Sequence, residues 1–460
     1  MAKKHVFSSF VFCLSAALFL ALSSLMPISS AASAGQRTPS ILSIRDRATL
    51  VYQITQKRLD QLLPRLMRET GFDMWIISCN EDNLDPIFET MVPYGNWNPI
   101  TQILVFFDRG AAQGVERLNV SRTDTQGLFK NVWDAAAWDT HKKESQWDCL
   151  GRVVRGLDPK KIGLNEGETQ WATGGLTSVL KKRIVEALGP KYAARLQSAE
   201  PLATLWSETL LDEELELMER AQAVSHAIIA DMLSNKVVTP GFTTADDLRW
   251  YYWQRTADLG LKVSFSPFIS IRGRHPEDIE KYGKDDKVIR PGDLIHCDVG
   301  VKYMRYNSDA QEMAYVLRAG ETDAPEIFRK LMAEENRLQD IFCGEFKASL
   351  TGNELLGNIL KKAIDAGIPG PRVYSHSLGY FLHEPGPLIG LPWEQVNNPG
   401  RGDVKLVPNS CFTAEMSVTA PIPEWGEGQE LRLPLEQAIA FTDKGVFFLD
   451  GRQTNFHLIK

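Results

Sequence analysis

Gly292-Asp-Leu-Ile-His-Cys-Asp298-Val-Gly300-Val-Lys-Tyr303-Met-Arg-Tyr306-Asn-Ser-Asp309-Ala-Gln-Glu-Met-Ala-Tyr-Val316 is the stretch that decides the fold. Its apolar and β-branched residues predict one strand over Asp293 to Tyr303 and a second over Asp309 to Leu317. A turn near Lys302 to Asn307 lets the two pair antiparallel, which puts Asp298 and Asp309 on one face if the register sets them opposite. Two carboxylates side by side repel, so such a pair in an apolar run must share a proton, meet a cation or face water. The plain alternative is two aspartates flanking a turn on a wet edge.

Working outward toward the C-terminus, Tyr374-Ser-His376-Ser-Leu-Gly379-Tyr-Phe-Leu-His383-Glu-Pro-Gly386 carries two histidines around a glycine. Imidazole is a ready ligand for divalent transition metals, although a lone histidine in such a run is more often structural. Cys411-Phe-Thr-Ala-Glu415 and Leu433-Pro-Leu-Glu436-Gln-Ala-Ile-Ala-Phe441 each set one glutamate in an apolar, strand-like run. Either glutamate alone could be an edge-strand charge, because an unpaired carboxylate is rarely buried. Taken together, Asp298, Asp309, His376, Glu415 and Glu436 have the chemistry of a cage for a hard or borderline divalent cation.

Around this region the chain divides in two. Residues 40–205 alternate helical periodicity (Thr49 to Glu69, with Pro64 as a kink and Gly71 as a stop; Gly175 to Leu188) with short apolar runs at Asp73, Ile100 and Lys161, which predicts an α/β domain. Residues 212–460 open with a long amphipathic helix to Met232. A second helix begins in the cap chemistry of Thr243-Thr-Ala-Asp-Asp247 and ends near Leu259. Strands at Lys262 to Arg272 and beyond, with helices at Ala324 to Phe342 and Asn353 to Ala366, make this second region α+β. No internal repeat is present.

Residues 1–34 predict a signal peptide: Lys3 and Lys4 precede an uncharged stretch from Val6 to Met26, and Ala32-Ser33-Ala34 supplies a cleavage pattern. Its removal leaves 49 basic against 58 acidic residues, a net charge of −9, in a secreted or periplasmic protein with no membrane attachment. That balance lacks the basic footprint that nucleic acid requires. Five cysteines remain, without a CxxC pair, and are expected as buried apolar residues rather than a disulfide framework.

The order Asp298, Asp309, His376, Glu415, Glu436, with Asp-x-Gly-x-x-Tyr-x-x-Tyr-x-x-Asp over 298–309 and His-x-x-Gly-x-x-x-His over 376–383, resembles the pita-bread metallopeptidases. These include aminopeptidase P, prolidase and methionine aminopeptidase, and metal-free creatinase shares their fold. The resemblance covers 212–460, and residues 40–205 are similar to the N-terminal α/β domain of aminopeptidase P, prolidase and creatinase. It implies an α/β N-terminal domain followed by an α+β pita-bread catalytic domain, holding two divalent metal ions.

By that resemblance Asp298 chelates one metal, His376 and Glu415 hold the other, and Asp309 and Glu436 bridge them. Glu415 would shuttle a proton to the leaving nitrogen, and His383 would donate to the substrate carbonyl. Mixed carboxylate and imidazole ligation suits Mn²⁺, Zn²⁺, Co²⁺ and Fe²⁺ alike, and Mn²⁺ is the metal expected first. The implied activity is hydrolysis of the N-terminal Xaa-Pro amide bond of small peptides, by an aminopeptidase or dipeptidase acting as a homodimer.

Three departures bear on the substrate. Where these peptidases usually carry a histidine upstream of the first aspartate ligand, Lys281 stands, and the nearest candidate is His275, which could equally be a turn residue beside Pro276. Ala310-Gln-Glu-Met313 replaces a threonine-and-arginine run, and Pro434 stands where aminopeptidase P has arginine, with Arg432 able to compensate from the same strand face. These motivate one rival expectation, a same-fold metallohydrolase acting on a non-prolyl small amide or amino-acid-like compound; a second rival, a non-catalytic pita-bread binding module, comes from the resemblance, since such domains also occur as peptide-binding scaffolds.

Overall fold

Gly71 closes the first helical stretch in the left-handed region (φ 73°), and the apolar runs after it form strands. The computed structural model describes residues 39–134 and 144–460; the expected signal peptide, residues 1–34, lies outside the described residues. The first strands are β1 (Met74–Asn80), β2 (Thr101–Asp108), β3 (Val115–Asn119), β4 (Lys130–Asn131), β5 (Ile162–Leu164) and β6 (Leu196–Ser198), in the order β4-β3-β2-β1-β5-β6. The two-residue alternation of β1 splits its side chains between two layers. Met74 and Ile76 pack with Cys149, Ile184 and Leu188 from the helices Gln146–Leu157 and Ser178–Ala193. Trp75 and Ile77 pack with Leu66, Leu202 and Trp206 from the helices Leu63–Thr70 and Glu200–Glu208 on the other face.

The helix Asp212–Met232 follows, with three acids in its first turn and the Glu214 carboxylate accepting from the Leu211 N–H. The next helix, Ala245–Asp258, begins in the reciprocal cap of Thr244 and Asp247, as its sequence predicts. Eleven further strands follow in chain order: β7 (Lys262–Val263), β8 (Phe268–Gly273), β9 (Leu294–Val299), β10 (Val301–Tyr303), β11 (Tyr306–Asn307), β12 (Ala310–Val316), β13 (Arg372–Tyr374), β14 (Ser410–Pro421), β15 (Glu430–Thr442), β16 (Gly445–Phe448) and β17 (His457–Ile459). They form an eight-stranded sheet with the path β13-β14-β15-β12-β9-β8, β16 beside β15 and β17 beside β12, and a small sheet β11-β10-β7. Two apolar clusters sandwich the large sheet. One holds Val224, Ile228 and Tyr252 of the first two helices, and the other Leu331, Leu338 and Phe342 of the helix Glu326–Glu345 with Leu355 and Ile359 of Gly352–Asp365.

Two expected strands are each two strands in the structure. The run Lys262 to Arg272 divides into β7 and β8, which join different sheets. The run Asp293 to Tyr303 breaks at Gly300, where the chain passes so close to Ser308 that a Cβ would lie 2.0 Å from its carbonyl oxygen. Among the described residues the five cysteines carry free thiols, four of them buried. Among the described residues no helix is long and apolar enough to cross a membrane.

Candidate metal centre

The register of the large sheet builds one row of side chains across five strands. Tyr374 of β13 stands opposite Glu415 of β14, Glu415 opposite Glu436 of β15, Glu436 opposite Gln311 of β12, and Gln311 opposite Asp298 of β9. Paired residues share a face, and adjacent strands are roughly 5 Å apart, so three carboxylates and one carboxamide line up on one surface. Asp298 and Asp309 are therefore not directly opposite each other. Gln311 occupies the facing position, and Asp309, two residues before it, shares its face from the segment leading into β12.

His376 enters from the segment after β13 and approaches the middle of this row, at Glu436. Its Nε2 lies 3.8 Å from Asp309 Oδ2 and 3.9 Å from Glu436 Oε1. One ligand atom each from Asp309, His376 and Glu436 falls within 4.8 Å of the others, and all three residues are buried. Asp298 and Glu415 are half-buried and open onto a cavity of about 170 Å³ that His296, Gln311 and Tyr374 also line.

Burial raises every carboxyl here. It pushes Asp298 up to about 7 and, with the Asp298 charge added, Glu415 to about 8. Asp309 and Glu436 are raised well above the usual range by burial first and by the neighbouring carboxylates second. His376 is pushed down to about 3 by burial and by His383, so it is neutral. Its Nδ1 lies 3.0 Å from the Ser377 carbonyl oxygen, which accepts from an Nδ1–H and so leaves Nε2 with a free lone pair beside the acids.

Two buried oxygens, Asp309 Oδ1 and Glu436 Oε1, have no hydrogen-bond partner. Buried polar atoms are seldom left so, and several anions beside a bare imidazole nitrogen fit a divalent cation better than any protein group present.

The structure also brings in two residues that the sequence reading missed. Gln311 Nε2 donates to Glu436 Oε2 at 2.9 Å, and Gln311 Oε1 is 2.9 Å from His296 Nε2, so the amide braces the centre of the carboxylate row. His296 is buried and held neutral, its pKa lowered to about 4 by burial, Arg272 and Arg432 against the Gln311 bond. The available signal was spacing: His296 stands two residues before Asp298 and Gln311 two after Asp309, each on the same strand face as the aspartate.

His383 meets His376 edge to face, with ring centroids 4.5 Å apart. His275 is a correction. It caps the short helix Pro276–Tyr282, accepting from the Glu277 N–H, and lines a different cavity with Gly292, Tyr315 and Arg318, because Pro276 starts a helix there rather than extending β8 toward the acids. The imidazole beside Asp298 is that of His296 instead. Arg432, expected to stand in for the arginine that Pro434 replaces, does line the cavity.

An α+β domain whose curled sheet gathers acids and one histidine, preceded by an α/β region, defines a class of metal-dependent hydrolase. Residues 216–446 match the profile of metallopeptidase family M24, and the chain belongs to that family. No curated protein matches the sequence. Among solved structures the fold is similar to an X-Pro aminopeptidase from Thermotoga maritima (19% identity, TM-score 0.59, covering 86% of this chain and 99% of that one). It is also similar to an Xaa-Pro dipeptidase from Bacillus anthracis (18%, 0.56, 90% and 100%) and a prolidase from Pyrococcus horikoshii (16%, 0.53, 87% and 98%). The architecture is thus the pita-bread fold, and the chain is a metallopeptidase by family.

Proposed function

We propose that the protein is a dinuclear metal-dependent aminopeptidase or dipeptidase that cleaves the amide bond after an N-terminal residue, with Xaa-Pro as the bond to test first. The observation that carries this reading is the pair of unpartnered buried oxygens, Asp309 Oδ1 and Glu436 Oε1, on the two carboxylates that lie beside His376 Nε2. Asp309 and Glu436 would each hold two cations, Asp298 would complete one, and His376 with Glu415 the other. Four carboxylates balance two divalent charges, which offsets both the burial and the mutual repulsion that otherwise raise their pKa values. The names of the structural neighbours support Xaa-Pro, and the donor set supports Mn²⁺ as the first metal to try.

Cations held there would supply Lewis acidity toward the scissile carbonyl and toward water. The chain supplies the rest. Glu415 opens onto the cavity from the middle of the row and can carry a proton from water to the leaving nitrogen. His383, next to His376, is held below its ordinary pKa by burial and by Arg401; its neutral ring has an N–H free to donate to the substrate carbonyl as charge develops on that oxygen. Gln311, fixed between His296 and Glu436, keeps the Glu436 carboxylate in place.

Metal analysis of the purified protein is expected to find about two divalent ions per chain, a stoichiometry set by charge balance, and to find them lost in Asp309→Ala. The intact protein is expected to release the N-terminal residue from Xaa-Pro peptides. No metal uptake under Mn²⁺ or Zn²⁺ supplementation would leave the binding-module reading in place. The proposal also includes export with removal of residues 1–34 and a homodimer, which N-terminal sequencing of the mature protein and light scattering test separately.

A further inference from the structure

The cavity beside Asp298 and Glu415 has a second charged feature of opposite sign. Arg272 near the end of β8, Arg372 at the start of β13 and Arg432 on β15 all line it. Their convergence follows from the register. Arg372 is opposite Ser417, two residues along from the Tyr374–Glu415 pair, and Arg432 is opposite Thr419, two residues further. Each guanidinium spends one nitrogen on a neutral oxygen: Arg272 Nε on the Arg432 carbonyl (3.2 Å), Arg372 on the Pro392 carbonyl (3.0 Å) and Arg432 Nε on Ser417 Oγ (2.7 Å). Among the described residues none of the three makes an ion pair with a carboxylate, so most of their N–H donors have no protein partner at the cavity they line.

Such an arrangement is costly without an anion. Burial, and then Arg272 and Arg372, hold the Arg432 guanidinium below its ordinary value, against Glu415 and Glu335. The carboxylate row does not answer these charges if it is spent on two cations, so the arginines are left for the substrate. A substrate's N-terminal ammonium would be repelled by them and must point away, which turns the leaving half of the amide toward the arginines. A cavity of about 170 Å³ has room for little more than one residue.

A single carboxylate satisfies one planar fork bidentately, whereas three forks on three strands match a compact group with two. We propose that Arg272, Arg372 and Arg432 form a rim selecting small amides whose leaving half is one residue with two carboxylates, so that Xaa-Glu and Xaa-Asp dipeptides outrun Xaa-Pro. This rests on the hydrolase reading above and refines its substrate class.

The test uses full-length, metal-loaded protein with Ala-Glu, its isostere Ala-Gln, Ala-Pro and Ala-Pro amide. The kcat/KM for Ala-Glu is expected to exceed that for Ala-Gln by about tenfold or more, as one charge-assisted bond allows. The ratio should fall toward one in Arg432→Gln and Arg372→Gln, and shrink as salt is raised. Arg272→Gln, at the exposed mouth, serves if the other two variants fail to fold. Equal turnover of Ala-Glu and Ala-Gln, or a ratio unmoved by all three substitutions, overturns the proposal.

Calorimetry with L-glutamate and L-glutamine reads the rim without turnover. Tighter glutamate binding that Arg432→Gln abolishes supports it even if no peptide is cleaved, in which case only the hydrolase reading fails. Prolyl cleavage with no preference for acidic compounds overturns the rim and leaves the hydrolase standing.

Discussion

At the scale of single residues the centre is defined by protons held where cations are expected. The folded, metal-free chain keeps Asp298 and Glu415 protonated up to about 7 and about 8, whereas an unfolded carboxyl releases its proton near pH 4. Between those values the folded state binds more protons than the unfolded state, so its stability falls as pH rises through that window. The metal-free protein is therefore expected to melt at progressively lower temperature from pH 5 to pH 8.5, while the metal-loaded protein, whose carboxylates are already ionised, stays nearly level. Metal binding at pH 6 should release at least about one proton per chain, and fewer at pH 9. Titration calorimetry in two buffers of different ionisation enthalpy measures this; uptake of metal at pH 6 with no proton released would contradict the assigned ligands.

Among the elements, the segment joining β9 to β12 does the positioning, and Gly300 is its least replaceable residue. A side chain there would meet the Ser308 carbonyl oxygen at 2.0 Å and Ser264 Cβ at 3.1 Å, so Gly300→Ala must push the end of β9, which carries Asp298, away from the segment that carries Asp309 into β12. The expected result is loss of metal and a destabilisation of about 1–3 kcal/mol, the usual range for overpacking. Gly357→Ala is the control: it lies in the helix Gly352–Asp365 with nothing within 4 Å of its Cβ, and should be neutral or stabilising by up to about 1 kcal/mol. Urea denaturation and metal content check both. The sequence was informative where a charge interrupts an apolar run: Asp298, Asp309, Glu415 and Glu436 were legible because a buried acid needs an explanation, and His376 because it shares a motif with His383. Registers were not legible, and so neither were the residues that depend on them. From sequence Gln311 reads only as a departure from a pattern, yet its pairing with both Asp298 and Glu436 sets it inside the row between two acids. His275 was misplaced because the helix Pro276–Tyr282 leaves no periodic signal strong enough to separate it from a loop.

Across the whole molecule, one buried ionic network ties the N-terminal region to the loop that carries the two histidines. Arg58, in the π-helical turn Arg58–Leu62, pairs with Glu214 at 2.7 Å, both side chains fully buried, and also donates to the carbonyls of Thr209 and Trp206. Glu214 accepts in addition from Leu211 N, from Tyr306 Oη at 2.7 Å and from Tyr380 Oη at 2.8 Å, and Tyr380 follows Gly379 midway between His376 and His383. A second tie is Gln170, which bonds both the N–H and the carbonyl of Gly386 just beyond His383. Because the acid, the arginine and both tyrosines are enclosed together, the regions on either side should unfold in one transition. Glu214→Gln leaves Arg58 charged and unpaired in the interior, an error that costs about 3–5 kcal/mol. Replacing both partners with apolar residues, Arg58→Met with Glu214→Leu, should recover part of that loss. Recovery stops short because the Tyr380 hydroxyl and the Leu211 N–H then lose their acceptor, and Tyr306 keeps only its longer bond to Tyr380. Differential scanning calorimetry of the single and double variants, with kcat measured alongside, separates the outcomes. A single peak that shifts down, with kcat falling as Tyr380 loosens beside the histidines, fits the network as described. Two separable peaks would show that the N-terminal region and the histidine loop are not held together through Glu214.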